Sequence, residues 1–595
     1  MFRFSRYVIV PFTMPLILMN IRILLFLTCF FLCDASGEVD KPVNVPGAQS
    51  FLARYPKSDG NSDGILTAVE KRNYSEELAI EKLGGNYTYH QTMIPMRDGV
   101  KLATGIFLPQ TEAGSKHATV LCRTAYSIWS AALFDTEKIA DQNLIYICQD
   151  LRGDGESEGA GTANLASYDN EIEDGYDTID WIVNQPWSNQ RVAMVGQSGH
   201  GFSAYMAYLA KHPNLVAVDT NVSGGNAHLY WTYHNGVKRE MHYRWLSQRG
   251  ISTPVWPKPG IEVFDRNQYA ETLQTAATNN ETVFIARTGW YDIFAESALD
   301  YFGSFAARGN VFVQVDAIGH GGMKGKPFPP KPVPAVWALP NFTEVLGDPD
   351  SVTPGQSRMV YYLMGDGTDP EAPGNCYKAT EVWPVPHTPT AYYLHANGTI
   401  SNTKPTAARD ASTFPYDPRD PVPSAGGDVF IHQGVGPLDQ RVLADRKDIL
   451  RFTSEPLAEP LEITGKVIAT IYVSSDVRDT TFTAKLIDIY PDGHEAVVRD
   501  SIIMGRFHAG FDKQVPMQEG EIYELKMDMW STALVVNKGH RLAVHISSSN
   551  SPKYEVHPNT FEPVNSFDES PIANNTIHLS SEHSSHIQLP VVESK

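Results

Sequence analysis

The hydrophobic pattern of the chain changes once along its length. Between about residue 86 and residue 345, short and nearly continuous apolar runs alternate with segments whose apolar residues recur at helical spacing. Continuous runs are typical of strands buried on both faces, and their alternation with helices predicts a mostly parallel sheet covered by helices. The runs are ATVLCR, NLIYICQD, RVAMVG, LVAVDTNV, TVFIARTG and VFVQVDAI. We therefore expect an α/β fold in this part of the chain.

A Pro-rich connection at residues 327–340 ends that pattern. Beyond it the runs alternate polar and apolar residues, as in TGKVIATIYVSS and HRLAVHISSS, and no long helical pattern follows. The pairs Asp492-Gly493 and Lys538-Gly539 are turn signals between such runs. Residues 346–592 are therefore predicted to form an all-β sandwich. A chain of 595 residues is too long for a single core, so separate domains are expected.

The N-terminal segment, residues 1–37, has the layout of a secretory signal peptide. Three arginines precede an apolar run from Ile23 to Cys33, and small residues follow it. The run is about 11 residues long, which is short of the ~20 needed to cross a bilayer. The apolar stretch at residues 8–18 leaves a membrane anchor open as an alternative. We predict an exported protein, secreted or periplasmic, without a stable membrane span.

Composition narrows the classes of partner. The formal net charge of −20 argues against nucleic acid, because binding to phosphates needs a concentration of Lys and Arg. After removal of a signal peptide only Cys122, Cys148 and Cys376 remain, which is not a disulfide framework. A small molecule or a short peptide is the expected substrate.

A calcium-binding loop is predicted ahead of the α/β region, within residues 48–75. The segment DGNSDGILTAVE starts at Asp59 and matches the spacing of an EF-hand loop, with Gly64 at its sharp turn. The predicted Ca²⁺ ligands are Asp59, Asn61, Asp63, the carbonyl of Ile65, Thr67 and Glu70. The alternative is a polar linker, since Pro56 interrupts the entering helix and no second hand accompanies the loop. A calcium ion here would have a structural role.

The segment RVAMVGQSGHGFSAYMAYLAKH carries the main catalytic signal. It runs from a strand through GQSGHG into a helix, which is the context of a nucleophile elbow. Gly196, Gly199 and Gly201 permit a sharp turn that exposes the hydroxyl of Ser198. We predict Ser198 as the nucleophile. His200, on the same turn, is expected to point away from it.

A serine nucleophile needs a base and an acid that orients the base, and in this fold they follow in the order Ser, Asp, His. Asp292 ends the strand unit TVFIARTGWYDIF, and His320 follows the strand VFVQVDAI between two glycines. Asp300 and Asp316 compete with Asp292, but the former lies in a helical pattern and the latter inside a strand run. Asp292 and His320 are therefore the predicted acid and base.

Several further stretches resemble one enzyme family. They are MRDGVKLATGIFLP, RTAYS, QDLRGDGESEG, DWIVNQPWSNQRVAMVGQSGHG, GWYDIF and YDPRDPVPSAGG, in that order from residue 96. On these motifs the chain resembles the family of cocaine esterase, Xaa-Pro dipeptidyl-peptidase and α-amino-acid ester hydrolase. The resemblance implies an α/β-hydrolase domain over residues 86–345 with a helical cap at about 225–278, followed by a jelly-roll, galactose-binding-like domain.

The resemblance also implies an oxyanion hole. Its donors would be the hydroxyl of Tyr126, in RTAYS, and the backbone N–H of Gly199. Each such donor is typically worth ~3 kcal/mol. The family usually has Tyr at the position of Gly199, so the acyl pocket here is expected to be more open. Glu296, shortly after Asp292, is a candidate for binding the ammonium group of an amino-acid ester.

The sequence thus predicts an exported serine esterase or amidase that works through an acyl-enzyme and needs no cofactor for catalysis. Xaa-Pro dipeptidyl-peptidase activity is the alternative within the same chemistry. A non-catalytic, calcium-dependent binding protein on a hydrolase scaffold is the alternative from a different class. The acyl group, the leaving group and the oligomeric state are left open.

Overall fold

The structure is a computed structural model. It describes residues 52–53, 55–58, 66–132, 136–159, 170–226, 228–247, 273, 281–429 and 434–593. The segment assigned to the signal peptide, most of the predicted calcium loop and much of the predicted cap lie outside the described residues. Within the described ranges, no helix combines the length and the hydropathy that a membrane span requires.

A ten-stranded sheet forms the first part of the molecule. Its strands are β1 Tyr87–Pro95, β2 Lys101–Pro109, β3 His117–Thr124, β4 Ile145–Asp150, β5 Ser188–Gln197, β6 Leu215–Asn221, β9 Val283–Tyr291, β10 Val311–Gly319, β11 Arg358–Leu363 and β12 Cys376–Thr380. A short hairpin of β7 Tyr233–His234 and β8 Val237–Lys238 lies outside this sheet. The strand order in the sheet is β1-β2-β4-β3-β5-β6-β9-β10-β11-β12. Pairing is parallel from β4 to β11 and antiparallel at both edges. The predicted α/β class is confirmed.

The strand order reverses between β3 and β5. From β3 the chain moves outward to β4 and then crosses back to β5 on the other side of β3. In open α/β sheets the helices before and after such a reversal lie on opposite faces, so a crevice opens at the carboxyl ends of the two strands. The residues that follow β3 and β5 therefore meet in this crevice.

Helices cover the sheet. They are α1 Ala68–Lys82, α2 Ile128–Ala131, α3 Thr136–Asp141, α4 Glu171–Val183, α5 Phe202–Ala210, α6 Glu240–Ser247, α7 Ala295–Phe305 and α8 Phe342–Gly347. The helical spacing of apolar residues predicts which faces are buried. Ile179 and Ile182 of α4, and Leu299 and Phe302 of α7, are fully buried in the main core. Each such side chain contributes roughly 1.5–3 kcal/mol by leaving water.

The C-terminal part is β-rich, as predicted. Its strands are β13 Thr388–Leu394, β14 Ile400–Ser401, β15 Ala411–Tyr416, β16 Leu450–Thr453, β17 Leu461–Ser475, β18 Thr481–Ile489, β19 Glu495–Met504, β20 Tyr523–Val536, β21 Arg541–Ser547, β22 Ala573–His578 and β23 His586–Val592. They form a seven-stranded and a four-stranded sheet. Ladders within both sheets are antiparallel, which is the usual pairing in a sandwich.

The ten-stranded sheet extends past residue 345, the predicted end of the α/β part. Strand β11 follows the Pro-rich connection and pairs in parallel with β10, and β12 folds back on β11. The end of β11 also joins the two parts of the molecule, because the N–H of Met364 donates to the carbonyl of Ala533 and the N–H of Val535 donates to the carbonyl of Met364. The sandwich is thus hydrogen-bonded directly to the last parallel strand of the ten-stranded sheet.

Candidate active site

Ser198 lies on a tight turn between β5 and α5. Its backbone φ is 53°, in the left-handed region that side chains rarely adopt. The neighbouring glycines are required by close contacts: a Cβ on Gly196 would lie 2.2 Å from the carbonyl oxygen of His200, and one on Gly201 would lie 2.5 Å from Oγ of Ser223. The Ser223 hydroxyl donates to the carbonyl of Ser198 over 2.7 Å. The turn is therefore packed so that Ser198 stands at its apex.

Three side chains at strand ends form a continuous hydrogen-bonded chain. Ser198 Oγ lies 2.9 Å from Nε2 of His320, and His320 Nδ1 lies 2.7 Å from Oδ2 of Asp292. The other carboxylate oxygen of Asp292 accepts the backbone N–H of Phe294 over 2.8 Å. None of the three side-chain residues is more than 3% exposed. This arrangement gives a serine an adjacent base and gives that base an orienting acid.

The two competing aspartates have other partners. Asp300 accepts a hydrogen bond from the hydroxyl of Tyr230. Asp316 accepts hydrogen bonds from Gln314 and from the hydroxyl of Tyr377, the latter over 2.7 Å. The structure thus brings Asp292, and neither competitor, to His320.

Tyr126 and Gly199, the two residues implied for the oxyanion hole, are in close contact. A Cβ built on Gly199 would lie only 2.1 Å from the hydroxyl oxygen of Tyr126. The absence of a side chain at Gly199 therefore lets the tyrosine hydroxyl approach the backbone next to the nucleophile. This contact is a physical reason for glycine at position 199.

Two other buried histidines near the site are neutral. His200 packs its ring against Tyr126, with ring centroids 4.9 Å apart, and burial lowers its pKa to about 3. Nδ1 of His242 lies 2.6 Å from the carbonyl oxygen of Trp231. Burial, followed by the charge of Arg239, holds the pKa of His242 well below its usual value. Neither imidazole adds a positive charge to the pocket near neutral pH.

An aromatic wall stands beside the triad. It consists of Tyr126, Phe202, Tyr230, Trp231, Trp245, Ile293, Phe294 and Trp530, which form one buried cluster. Phe294 touches the catalytic histidine, with ring centroids 5.5 Å apart, and Phe202 stacks on Trp231 at 5.3 Å. From sequence alone, Tyr230, Trp231, Tyr233 and Trp245 of the aromatic-rich insert are core or packing residues by default, and an unspecified fraction of them is expected to line the acyl pocket. The sequence did not reveal Trp530, because a tryptophan in a sandwich strand is indistinguishable from ordinary core.

Trp530 reaches the wall from a bulge in β20. The register between β17 and β20 shifts at this point, and Trp530 has a φ of 66°. Its backbone N–H donates to Oδ1 of Asp528 over 2.8 Å, and its indole ring stacks on His234 with ring centroids 4.5 Å apart. Bulges re-aim side chains. Here the bulge directs a side chain of the C-terminal domain toward the active site.

Glu296 does not face the pocket as a free carboxylate. Its Oε2 accepts the backbone N–H of Ser531 over 2.7 Å, and its Oε1 accepts the Ser531 hydroxyl over 2.8 Å. The structure thus gives Glu296 a different role from the ammonium binding considered for it, because both oxygens hold the residue that follows Trp530. Sequence spacing alone could not show this contact between residues 235 positions apart.

Only the end of the predicted calcium loop is described. Thr67 caps α1, and Oε2 of Glu70 accepts the N–H and the hydroxyl of Thr67 over 3.0 and 2.9 Å. The other predicted ligands, Asp59, Asn61, Asp63 and Ile65, lie outside the described residues. Calcium binding therefore stays a prediction.

The strand order, the turn that carries Ser198 and the buried triad define a serine hydrolase of the α/β-hydrolase class. Comparison with known families agrees. Residues 98–297 match the X-Pro dipeptidyl-peptidase (S15 family), and residues 355–588 match the X-Pro dipeptidyl-peptidase C-terminal non-catalytic domain. The chain is also 28% identical to cocaine esterase of Rhodococcus sp. over 590 residues, covering 86% of this chain and 99% of that protein. Over most of its length the chain is thus similar to serine hydrolases of this group.

Solved structures show the same fold. An aminopeptidase from the marine sediment archaeon Thaumarchaeota archaeon has a TM-score of 0.67 at 22% identity, covering 85% of this chain and 97% of that chain. An α-amino acid ester hydrolase has a TM-score of 0.64 at 22% identity, with coverage of 85% and 97%. Both likenesses extend over the hydrolase and the β-rich parts together.

Proposed function

We propose that the protein is an exported serine hydrolase that cleaves an ester or amide bond through an acyl-enzyme on Ser198. The hydrogen-bonded chain from Ser198 through His320 to Asp292 carries this proposal. His320 Nε2 takes the hydroxyl proton as Oγ attacks the substrate carbonyl carbon, and it then gives that proton to the leaving group. Water, deprotonated by the same nitrogen, hydrolyses the acyl-enzyme in the second half of the cycle.

Negative charge develops on the carbonyl oxygen in both halves. The hydroxyl of Tyr126 and the N–H of Gly199 are the proposed donors to that oxygen, in keeping with their close contact. Fixed donors of this kind typically contribute ~10²–10³-fold to kcat. Asp292 holds the His320 ring and stabilises the imidazolium that forms.

The aromatic wall supports a bulky, uncharged acyl group as the substrate. Phe294 contacts the His320 ring within a buried cluster of aromatic and aliphatic side chains, and Glu296, the carboxylate considered for an ammonium group, is engaged by Ser531. The names of two similar proteins, a cocaine esterase and an α-amino acid ester hydrolase, support ester cleavage. We therefore favour an acyl esterase.

Dipeptide release from Xaa-Pro peptides is the second candidate, supported by the two family models that match the chain. It requires an anionic group for the free amine of the peptide. A non-catalytic, calcium-dependent binding protein is the third, and the intact triad speaks against it, because binding alone does not require a serine, a base and an orienting acid in hydrogen-bond contact.

One experiment distinguishes the three. The purified protein is treated with a fluorophosphonate probe, and hydrolysis of para-nitrophenyl acetate, para-nitrophenyl benzoate and Ala-Pro para-nitroanilide is measured. The Ser198→Ala variant is compared with Ser412→Ala, which removes a hydroxyl on β15 of the sandwich. Labelling and ester turnover that only Ser198→Ala abolishes support the esterase. Turnover of the anilide alone supports the peptidase, and no labelling of the wild type refutes an enzyme.

Export rests on residues 1–37 alone. Expression of the full chain in a secreting host, followed by N-terminal sequencing, tests it. A mature protein that begins near residue 37 supports export, whereas a retained N-terminus in the cell fraction contradicts it.

A further inference from the structure

A strained residue follows the oxyanion tyrosine directly. Ser127 has φ 112° and ψ 136°, which places a non-glycine residue outside the regions that side chains normally occupy. Such a conformation is strained and persists only when surrounding contacts impose it. The contacts that impose it therefore also decide where Tyr126 points.

Hydrogen bonds hold the backbone on both sides of Ser127. Before it, the N–H of Tyr126 donates to Oγ1 of Thr124 over 3.0 Å. After it, the N–H of Ile128 donates to Oδ1 of Asp150 over 2.6 Å. Asp150 is the last residue of β4, next to β3 in the sheet, and it is buried. The strained turn is thus bracketed by one hydroxyl and one carboxylate.

The second oxygen of Asp150 holds another loop. Oδ2 accepts the N–H of Glu156 over 3.1 Å, and the Ser157 hydroxyl donates to the Asp150 carbonyl over 2.7 Å. The loop is wound tightly around the carboxylate, since a Cβ on Gly155 would lie 2.0 Å from Oδ2. The carboxylate therefore cannot turn away from Ile128 without breaking the second loop as well.

That second loop is itself anchored. The Glu156 carboxylate accepts a hydrogen bond from the Gln91 side chain of β1 and lies 3.6 Å from the guanidinium of Arg72 on α1. Gln91 also accepts a hydrogen bond from Arg72 over 2.8 Å. Asp150 consequently joins the oxyanion turn to a loop that is tied to the sheet edge and the first helix.

We propose that Asp150 is a positioning residue for the oxyanion: by holding Ile128, it keeps the strained Ser127 turn in place and so keeps the Tyr126 hydroxyl against Gly199. This inference rests on the proposed function, in which Tyr126 donates to the developing oxyanion. Without the carboxylate, Ser127 would relax to an ordinary φ and the Tyr126 side chain would move with it.

The test variant is Asp150→Asn, which keeps the size of the side chain but replaces one acceptor oxygen by a donor. That donor must face the N–H of either Ile128 or Glu156. We expect kcat for a para-nitrophenyl ester to fall ~10- to 100-fold with KM within about threefold, because an oxyanion donor acts in the transition state. Asp219→Asn is the matched control, since Asp219 on β6 also accepts a backbone N–H, that of Phe342, over 3.2 Å. Its kcat should stay at the wild-type value.

A double-mutant cycle separates positioning from a general structural effect. Tyr126→Phe removes the donor itself, so Asp150→Asn should lower kcat by less than about threefold when it is added to Tyr126→Phe. The total loss of kcat in the double variant should therefore lie far below the product of the two single losses. Thr124→Val removes the hydroxyl that accepts the N–H of Tyr126 on the other side of the turn. It is the replacement test variant if Asp150→Asn does not fold. It should show the same loss of kcat and the same lack of additivity.

Independent, multiplicative effects of Asp150→Asn and Tyr126→Phe would overturn the inference, as would wild-type kcat in Asp150→Asn. In either case Ser198-dependent ester hydrolysis by the wild type would leave the proposed function standing. If the wild type shows no Ser198-dependent turnover, the proposed function fails first.

Discussion

Glu296→Ala is the substitution that best tests how the C-terminal domain takes part in the active site. Glu296 lies in the first turn of α7 and is 1% exposed, and both of its carboxylate oxygens accept hydrogen bonds from Ser531. Alanine removes both acceptors at once. It leaves the N–H of a buried residue without its partner, and it frees the segment that carries Trp530.

The expected cost follows from the two contacts. Hydrogen bonds to a charged group contribute roughly 1.5–3 kcal/mol each, and a buried donor left unsatisfied adds to the loss. A total of about 3–5 kcal/mol corresponds to a fall in Tm of about 5–15 °C for domains of this size. Glu296→Gln retains one acceptor oxygen and should lose about half as much.

The assay combines thermal denaturation with kinetics on two esters. Because Ser531 adjoins Trp530 in the aromatic wall, KM for para-nitrophenyl benzoate should rise severalfold while KM for para-nitrophenyl acetate stays nearly unchanged. Glu462→Ala is the control. Glu462 pairs with Lys378 at 2.7 Å in a partly exposed ion pair, and such pairs are worth at most ~1 kcal/mol. Equal Tm shifts in the two alanine variants, or equal KM changes for the two esters, would refute the argument.

Three further predictions concern stability. His545 is buried, and burial lowers its pKa to about 3. The unfolded chain therefore binds a proton that the folded chain excludes, and stability falls as the pH drops below about 6.5. His545→Gln should make the decline of Tm between pH 6.5 and 4.5 shallower than in the wild type, and parallel Tm curves would contradict this. Lys553→Met leaves the buried carboxylates of Asp428 and Asp500 without their shared ammonium group and should cost about 3–5 kcal/mol, measured as Tm against the wild type. A chelator should lower the Tm of the full chain but not that of Asp63→Asn, and identical responses would exclude calcium at the predicted loop.

The catalytic residues were predictable because their signals are local. Ser198 is recognisable from a strand, a glycine-rich turn and a helix that are contiguous in sequence. Asp292 and His320 follow from the rule that partners sit after successive later strands, and the structure places His320 in hydrogen-bond contact with Ser198 and Asp292 in hydrogen-bond contact with His320. Continuous apolar runs likewise identified most of the parallel strands, because strands buried on two faces leave that pattern.

Contacts between distant segments were not predictable in the same way. Trp530 lies 332 positions after Ser198, and a bulge, which no periodicity reveals, turns it toward the site. The pairing of β11 with β10 was missed because the Pro-rich connection resembles a domain boundary although the chain returns to the same sheet. The link between Asp150 and the oxyanion turn depends on backbone N–H directions, which the side-chain pattern does not encode.

The division of the molecule suggests which kinetic constant each part controls. Ser198, Asp292 and His320 all follow strands of one sheet, so a change in domain docking leaves their mutual geometry intact. The aromatic wall, which includes Trp530, depends on that docking. A buried ionic network maintains the docked arrangement. In this network Arg239 lies 2.9 Å from the Asp428 carboxylate, and Lys553 joins Asp428 to Asp500. Buried charges are costly unless every partner is in place, so the network favours one docked arrangement over sliding alternatives. Substitutions that loosen the interface should therefore raise KM for bulky acyl groups before they lower kcat.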